Sequence, residues 1–500
     1  MALTSPQVLV VGAGFGGIAA AIELRRHGFD RVTILEAAPE LGGTWFHNTY
    51  PGVACDVPGH AYSFSYAQRR DWTRLCSHGD EILAYLRSVA HEHGVAPLVR
   101  TSQRVTSATF DEQAHRWRVI TESGERHEAD ALVIATGQLH RPSIPDLPGR
   151  ERFAGHAFHS ARWDHGYDLR GRRVAVVGSG ASAIQFVPEI APLAGRLTVF
   201  QRTPNWILPR RNHAHPAWLR TAIRTVPGLQ TLRRALMFAL LEGLTAAIRH
   251  PRTFGRLTAA RSAAFMRSQL PDPDLRARVW PDYTFGCKRV LFSSHWLPAL
   301  ARDSVELVCD PISRVTETGI ETGDGALHEA DCIIWATGFR TTEPVAPIEV
   351  TGAGGRRLAD VWRMGARAHL GITVPGFPSL FLMYGPNTNT SGGSIIFFLE
   401  AQAAYVRQAL EHVRGGGYAA LDVLPEVQES SDRATQARFA GTAWLDCNSW
   451  YRDEGGRIIA NWPGYMREYG RATLAFDPAQ FSFTPPPGPS PAPAPAVARA

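Results

Sequence analysis

Two glycine-rich turns hold the residues best suited to chemistry in this chain. The first follows the apolar run Val8-Leu9-Val10-Val11 and reads Gly12-Ala13-Gly14-Phe15-Gly16-Gly17. The second follows Val174-Ala175-Val176-Val177 and reads Gly178-Ser179-Gly180-Ala181-Ser182-Ala183. In this pattern the first glycine (Gly12, Gly178) permits a tight turn, and the second (Gly14, Gly180) lets backbone approach a pyrophosphate. The third small residue (Gly17, Ala183) lets the next helix pack on the strand, with the anion resting at the helix N-terminus. A single turn of this kind also occurs as a β–α connection with no ligand. Two, each between a strand and a helix, predict two nucleotides meeting in one protein, an arrangement suited to passing electrons between them.

The residues after each turn distinguish the nucleotides. Val32-Thr33-Ile34-Leu35 reads as the second strand of the first unit and ends in Glu36. A carboxylate there accepts both ribose hydroxyls of an adenosine, as FAD or NAD requires. The matching strand of the second unit, Leu197-Thr198-Val199-Phe200, ends in Gln201-Arg202-Thr203 with no acid. Arg202 is placed to pair with a 2′-phosphate, which predicts NADPH at the second site. The alternative is a solvated surface arginine, in a chain where Lys and Arg together number 52 and Lys288 is the only lysine. That exception points to a need for a compact ammonium at 288, or to chance.

The elements that must position these residues are nested along the chain. The expected fold class is α/β: two Rossmann-like dinucleotide-binding domains, for FAD and NADPH, with a helical insertion. Residues 1–145 and 340–484 are expected to form a discontinuous FAD-binding domain, and 146–205 with 281–339 an NADPH-binding domain. Ser304–Val308 and Asp331–Gly338 read as later strands of the second unit. Residues 206–280 read as helical and irregular. Between 206 and 267 there are eleven arginines and a single glutamate, a composition that suits either a membrane-surface segment or a helical cap over a substrate cleft. The Pro/Ala-rich stretch 485–500 is expected to be disordered.

Composition fits a large enzyme rather than a fibrous or membrane protein. The 500 residues are 44% hydrophobic and 20% charged, with a formal net charge of +6, and no apolar run reaches transmembrane length. No secretory segment precedes the first strand. Six cysteines lie without metal spacing or a Cys-x-x-Cys pair, which predicts reduced thiols in a cytoplasmic protein without a metal site. No nucleic-acid partner is expected.

Further motifs surround the turns. Phe153, Gly155, His159, Trp163 and Asp164 stand in the spacing FxGxxxHxxxW followed by an acid, just before the second turn. Gly42-Gly43-Thr44-Trp45 leads to Tyr50-Pro51-Gly52 and Asp56, and Gly286-Cys287-Lys288-Arg289, Gly385-Pro386-Asn387-Thr388, Ser449-Trp450-Tyr451 and Trp462-Pro463-Gly464 follow. With these motifs the chain resembles the type I Baeyer–Villiger monooxygenases, within the flavin-containing monooxygenases, from about residue 7 to 480.

The resemblance implies an NADPH- and O2-dependent flavoprotein that inserts one oxygen beside a ketone carbonyl, through a C4a-peroxyflavin, to give an ester or lactone. It implies that Arg289 is the cation favouring the anionic peroxide and that Asp56 orients it. A helix cap and a turn residue are the plain alternatives for these two. Gly43, Thr44 and Trp45 are implied at the flavin, Trp45 being otherwise a core tryptophan. Lys288 and Thr203 are implied beside Arg202 at NADPH. His159 and Trp163 are similar to residues that link the two nucleotide domains, while a satisfied core histidine is the alternative for His159. Trp450 is implied on the nicotinamide or substrate side. The chain departs from the family once: many members carry Gly-His-Asn-Ser where this one has Ser391-Gly392-Gly393-Ser394. Loss of that histidine is expected to widen the pocket or alter a hydrogen bond near the flavin. Two rivals stay open: an N- or S-oxidising monooxygenase, which usually lacks the Trp-acid ending, and an uncoupled NADPH oxidase or scaffold flavoprotein.

Overall fold

The run Val8–Val11 is apolar at every position because the strand it forms is covered on both faces. In this computed structural model, which describes residues 5–486 except 211 and 454, all four side chains are buried. Burial of each is worth roughly 1.5–3 kcal/mol, and a doubly covered parallel strand gains it at consecutive positions rather than alternate ones. Ten strands build two parallel sheets: β1 (Val8–Val11), β2 (Val32–Leu35), β3 (Val99–Arg100), β4 (Ala131–Ile134), β5 (His156–His159), β6 (Arg173–Val177), β7 (Arg196–Phe200), β8 (Val305–Val308), β9 (Cys332–Trp335) and β10 (Leu380–Leu382). The first sheet has the order β10-β4-β1-β2-β3 and the second β8-β7-β6-β9-β5, with every pairing parallel. Each glycine-rich turn therefore leaves the central strand of its sheet. The two later strands expected in the second unit are β8 and β9, and β10, from beyond residue 340, completes the first sheet.

Six helices matter to the site: α1 (Phe15–Arg26), α2 (Ala183–Ile190), α3 (Ala217–Thr225), α4 (Leu229–Arg249), α5 (Arg256–Gln269) and α6 (Ile395–Gly416). Helix α1 is sandwiched between the first sheet and α6, in a core that joins Ile18 and Ile22 to Val10, Tyr405 and Val406. A mixed four-stranded sheet covers the other face, packing Trp117 and Val119 against Leu9 and Leu132. Helix α2 covers the second sheet through Ile184, Phe186 and Val187. The segment expected to be helical supplies α3, α4 and α5, with a π turn at Pro251–Gly255 between the last two. Among the described residues no helix is long and apolar enough to cross a membrane. Of the Pro/Ala-rich tail, 487–500 lies outside the described residues.

The cysteines require a correction. Cys287 and Cys447 form a disulfide with their Cα atoms 6.0 Å apart, while Cys55, Cys76, Cys309 and Cys332 are free. The partners are separated by 160 residues, so no local spacing announces them. They meet because the chain beyond α6 folds back to the segment that follows the insertion.

Candidate active site

The first turn has the geometry its sequence predicts. Gly12 holds φ at +105°, and a Cβ there would stand 2.6 Å from the Ala135 carbonyl oxygen. A Cβ on Gly17 would collide with the Gly12 carbonyl, so both positions require glycine. Gly43 closes over Gly14, where an added Cβ would come within 2.8 Å of the Gly14 Cα. Thr44 opens the short helix Thr44–His47, and Trp45 is buried with its indole N–H donating to the Tyr62 hydroxyl at 3.2 Å. Glu36 is buried at the end of β2, and its carboxylate accepts from the Ala13 N–H at 2.7 Å and the Ala38 N–H at 2.8 Å. Each oxygen keeps a second lone pair for a ribose hydroxyl.

The second turn is more open. Gly178 holds φ at +113° against the Ala336 carbonyl, whereas a Cβ on Gly180 would meet nothing within 4 Å. That open side is where a pyrophosphate could approach the backbone. Ala183, fully buried, starts α2. Arg202 and Thr203 follow β7, and the Thr203 carbonyl accepts from the Ser179 hydroxyl at 3.3 Å, which fixes their loop to the turn. Lys288 is half-buried, with its ammonium 4.9 Å over the Tyr283 ring. Burial, then the Arg202 charge, lowers its pKa, with Asp282 opposing. Two cations held close in this way favour an anion between them.

The Phe153–Asp164 segment braces the second sheet. A Cβ on Gly155 would come 2.6 Å from the Asp331 carbonyl oxygen and from the Phe153 ring. His159 ends β5, where its Nδ1 accepts from the Ala161 N–H at 3.1 Å. Burial lowers its pKa to about 4, helped by Arg162 and opposed by a bond to the Gly338 backbone, so the ring is neutral at physiological pH. Trp163 packs on Phe186 of α2 with ring centroids 5.1 Å apart, and Asp164 pairs with His156 at 2.9 Å.

Asp56 and Arg289 form a charged pair. The Arg289 guanidinium Nη2 donates to Asp56 Oδ2 at 2.6 Å. Burial pushes the Asp56 carboxyl up, but the charge and hydrogen bond of Arg289, followed by the charge of Arg210, outweigh it and hold the carboxyl below its usual range. Arg289 is held strongly protonated in return, while its side chain remains partly open to the cleft.

Several positioning residues carried no signal in the sequence. Gln185, on α2, accepts from the Tyr50 hydroxyl at 3.1 Å and the Ala54 N–H at 3.2 Å, and donates to the Ala54 carbonyl at 3.0 Å. It ties the loop that carries Asp56 to the helix of the second turn. Arg210 donates to the Cys55 carbonyl at 2.8 Å. Tyr451, buried, and Tyr384, partly buried, lie close enough to feel the Arg289 charge, and desolvation raises the pKa of both hydroxyls. Tyr451 stands in the Ser-Trp-Tyr motif, whereas no motif spacing distinguishes Gln185, Arg210 and Tyr384 from ordinary core polar residues.

Known proteins resemble this chain in sequence and fold. A family model described as pyridine nucleotide-disulphide oxidoreductase matches residues 9–232. A Baeyer–Villiger monooxygenase of Streptomyces coelicolor is 42% identical over 96% of this chain and 93% of its own. The chain belongs to the Baeyer–Villiger monooxygenases. Among solved structures, an oxidised steroid monooxygenase bound to NADP has a TM-score of 0.85 at 31% identity, covering 96% of this chain and 100% of that one. An OTEMO complex with FAD and NADP has a TM-score of 0.86 at 26% identity, covering 96% and 99%.

The Ser391-Gly392-Gly393-Ser394 segment lies against α4. A Cβ on Gly392 would stand 2.7 Å from both the backbone N and the Oγ1 of Thr245. Helix α4 thus takes the space into which a side chain at 392 would project. Ser391 accepts from the Trp444 indole at 3.2 Å and bonds Tyr451. Trp450 is 41% exposed and leans on Tyr451, with ring centroids 4.3 Å apart. Tyr451 lies close enough to Arg289 for its hydroxyl to feel that charge.

Proposed function

We propose that the chain is an NADPH- and O2-dependent FAD monooxygenase that inserts one oxygen beside a ketone carbonyl to give an ester or lactone. The Arg289–Asp56 pair, in a chain with two dinucleotide turns, carries this reading. In it, residues 1–145 and 340–484 hold FAD, with Gly12, Gly14, Gly17, Glu36, Gly43, Thr44 and Trp45 around it. Residues 146–205 and 281–339 hold NADPH on Gly178, Gly180, Ala183, Arg202, Thr203 and Lys288, and 206–280 caps the substrate. The open backbone at Gly180 and the Arg202–Lys288 pair support a phosphate-bearing nucleotide there. The enzyme is proposed to work in the cytoplasm on a small ketone.

Bound flavin, once reduced by the nicotinamide, supplies the activation of O2. The chain supplies the electrostatics. Arg289 stays charged because Asp56 stays ionised, and a fixed guanidinium favours an anionic oxygen nucleophile and the oxyanion that forms as it adds to a carbonyl. Asp56 acts by holding that guanidinium in place. Gln185 keeps the Asp56 loop on α2, so the ion pair and the second nucleotide turn move as one body.

The reading is tested with purified enzyme, NADPH and 18O2 over aryl, cyclic and long-chain ketones, with a thioether and an amine included. An ester carrying one labelled oxygen is expected. Label only in sulfoxide or N-oxide would assign the heteroatom-oxidising alternative, and hydrogen peroxide alone the uncoupled one.

A further inference from the structure

We propose that the helical insertion docks on an anionic lipid bilayer through the outer face of α4. The exposed positions of this helix are Thr231, Leu232, Ala235, Leu236, Ala239, Leu240 and Gly243. Their spacing places them on one stripe of the helix, and none carries a charge. Leu232, Leu236 and Leu240 are 57%, 53% and 68% exposed. The polar side chains of α4 face the protein instead. Arg234 donates to the His60 carbonyl at 2.8 Å, Arg249 to the Pro463 carbonyl at 3.0 Å, and Glu242 accepts from the Arg467 N–H at 3.3 Å. A helix that only capped a core would show the opposite polarity. This one turns its apolar side outward, and a contiguous exposed apolar patch marks an interaction surface.

The neighbouring surface selects the occupant. Trp218 on α3 is 70% exposed, and Phe254 and Leu257 are also exposed. Among them stand the exposed Arg224, Arg252, Arg256, Arg261 and Arg267, none in an ion pair among the described residues. From Ala217 to Gln269 the sequence has one acid, Glu242, and it is half-buried. A second copy of the chain would set this basic surface against itself. An anionic bilayer offers phosphate to the arginines and hydrocarbon to the leucines. The arginines and glutamate within α4 keep it from spanning, consistent with a helix that lies in the interface.

The inner face of α4 gives docking a consequence. Leu241 packs with Ala61, Phe398 and Trp462, Thr245 meets Gly392, and Ile248 meets Gly286 of the segment that carries Lys288 and Arg289. One helix thus separates the outer surface from the residues around Arg289. Resting on the oxygenase reading, this predicts lipophilic ketones that partition into the bilayer as substrates; the docking itself does not depend on that reading.

Flotation of the holoenzyme with vesicles of phosphatidylcholine and phosphatidylglycerol, and of phosphatidylcholine alone, tests the docking. Binding to the anionic vesicles is expected, weaker by at least about tenfold on phosphatidylcholine alone and reduced by salt. The triple variant Leu232→Glu, Leu236→Glu, Leu240→Glu should bind at least about tenfold more weakly, with FAD content and turnover of a water-soluble ketone retained. If the triple variant does not fold, Arg252→Glu with Arg256→Glu should weaken binding by a similar factor. Absence of wild-type binding, equal binding to both vesicle types, or undiminished binding by the folded variants overturns the proposal. So does a lipid-free dimer that the leucine substitutions dissociate. Loss of ketone turnover in a wild type that still floats would count against the oxygenase reading alone.

Discussion

Arg289 is the side chain on which the proposed chemistry turns, and its ion pair with Asp56 sets how it can fail. Removing one preorganised charge from a developing oxyanion typically costs 10²–10³ in rate. Arg289→Ala is therefore expected to lower ester formation by at least about a hundredfold, while stopped-flow reduction of the flavin by NADPH proceeds. Ester yield at the wild-type level would remove Arg289 from the mechanism. Arg202 belongs to a different contact. A charge-assisted hydrogen bond to the 2′-phosphate is worth about 1.5–3 kcal/mol and is made equally in the ground and transition states, so it acts on KM. Arg202→Ala should raise KM for NADPH by about tenfold or more and leave NADH unaffected. Equal changes for both cofactors would assign Arg202 to the surface. His159, by contrast, is buried and neutral, so its ionisation should not shape the pH–rate profile near neutrality.

Among the elements, α4 packs directly on the Ser391-Gly392-Gly393-Ser394 segment. Its approach to Gly392 leaves no room for a Cβ, and because one of the opposing atoms is backbone, the helix itself would have to shift. Gly392→Ala is expected to cost about 1–3 kcal/mol, seen as a lower midpoint in denaturant with an unchanged slope. A variant as stable as the wild type would mean that α4 sits farther from the loop than its contacts with Gly392 require. The glycine-rich turns were readable from sequence because the positive φ at Gly12 and Gly178 and the approach of Gly17 to the Gly12 carbonyl are each met within six residues, although the carbonyls of Ala135 and Ala336 that also crowd the first glycines come from distant strands. The α4 contact was not readable, because Thr245 and Gly392 are brought together only by the fold.

For the molecule as a whole, the buried Asp422 sets a pH dependence unrelated to catalysis. Burial pushes its pKa up to about 6, against hydrogen bonds from the Gly376 and Val423 backbone and the charge of Arg356, and its second oxygen is buried without a partner. A carboxyl raised from its ordinary 3.8 binds its proton more tightly when folded than when unfolded. Its contribution is therefore most favourable below 3.8, declines as pH rises through about 6, and stays low above. Asp422→Asn mimics the neutral form, so its thermal midpoint should approach the wild type below pH 3.8, exceed it by a growing margin as pH rises to about 6, and keep that margin above. A constant difference across that range would show that Asp422 does not titrate in this way. The sequence by itself determined the two nucleotide turns, the acid after β2, the arginine after β7 and the strands that carry them, because backbone geometry and burial constrain residue type over short spans. Its motifs named Asp56 and Arg289, but only the tertiary structure set them 2.6 Å apart. It alone also joined Cys287 to Cys447, placed Gln185 under the Asp56 loop and turned the leucines of α4 outward. Each of these depends on which distant segments share space, and neither composition nor periodicity encodes that.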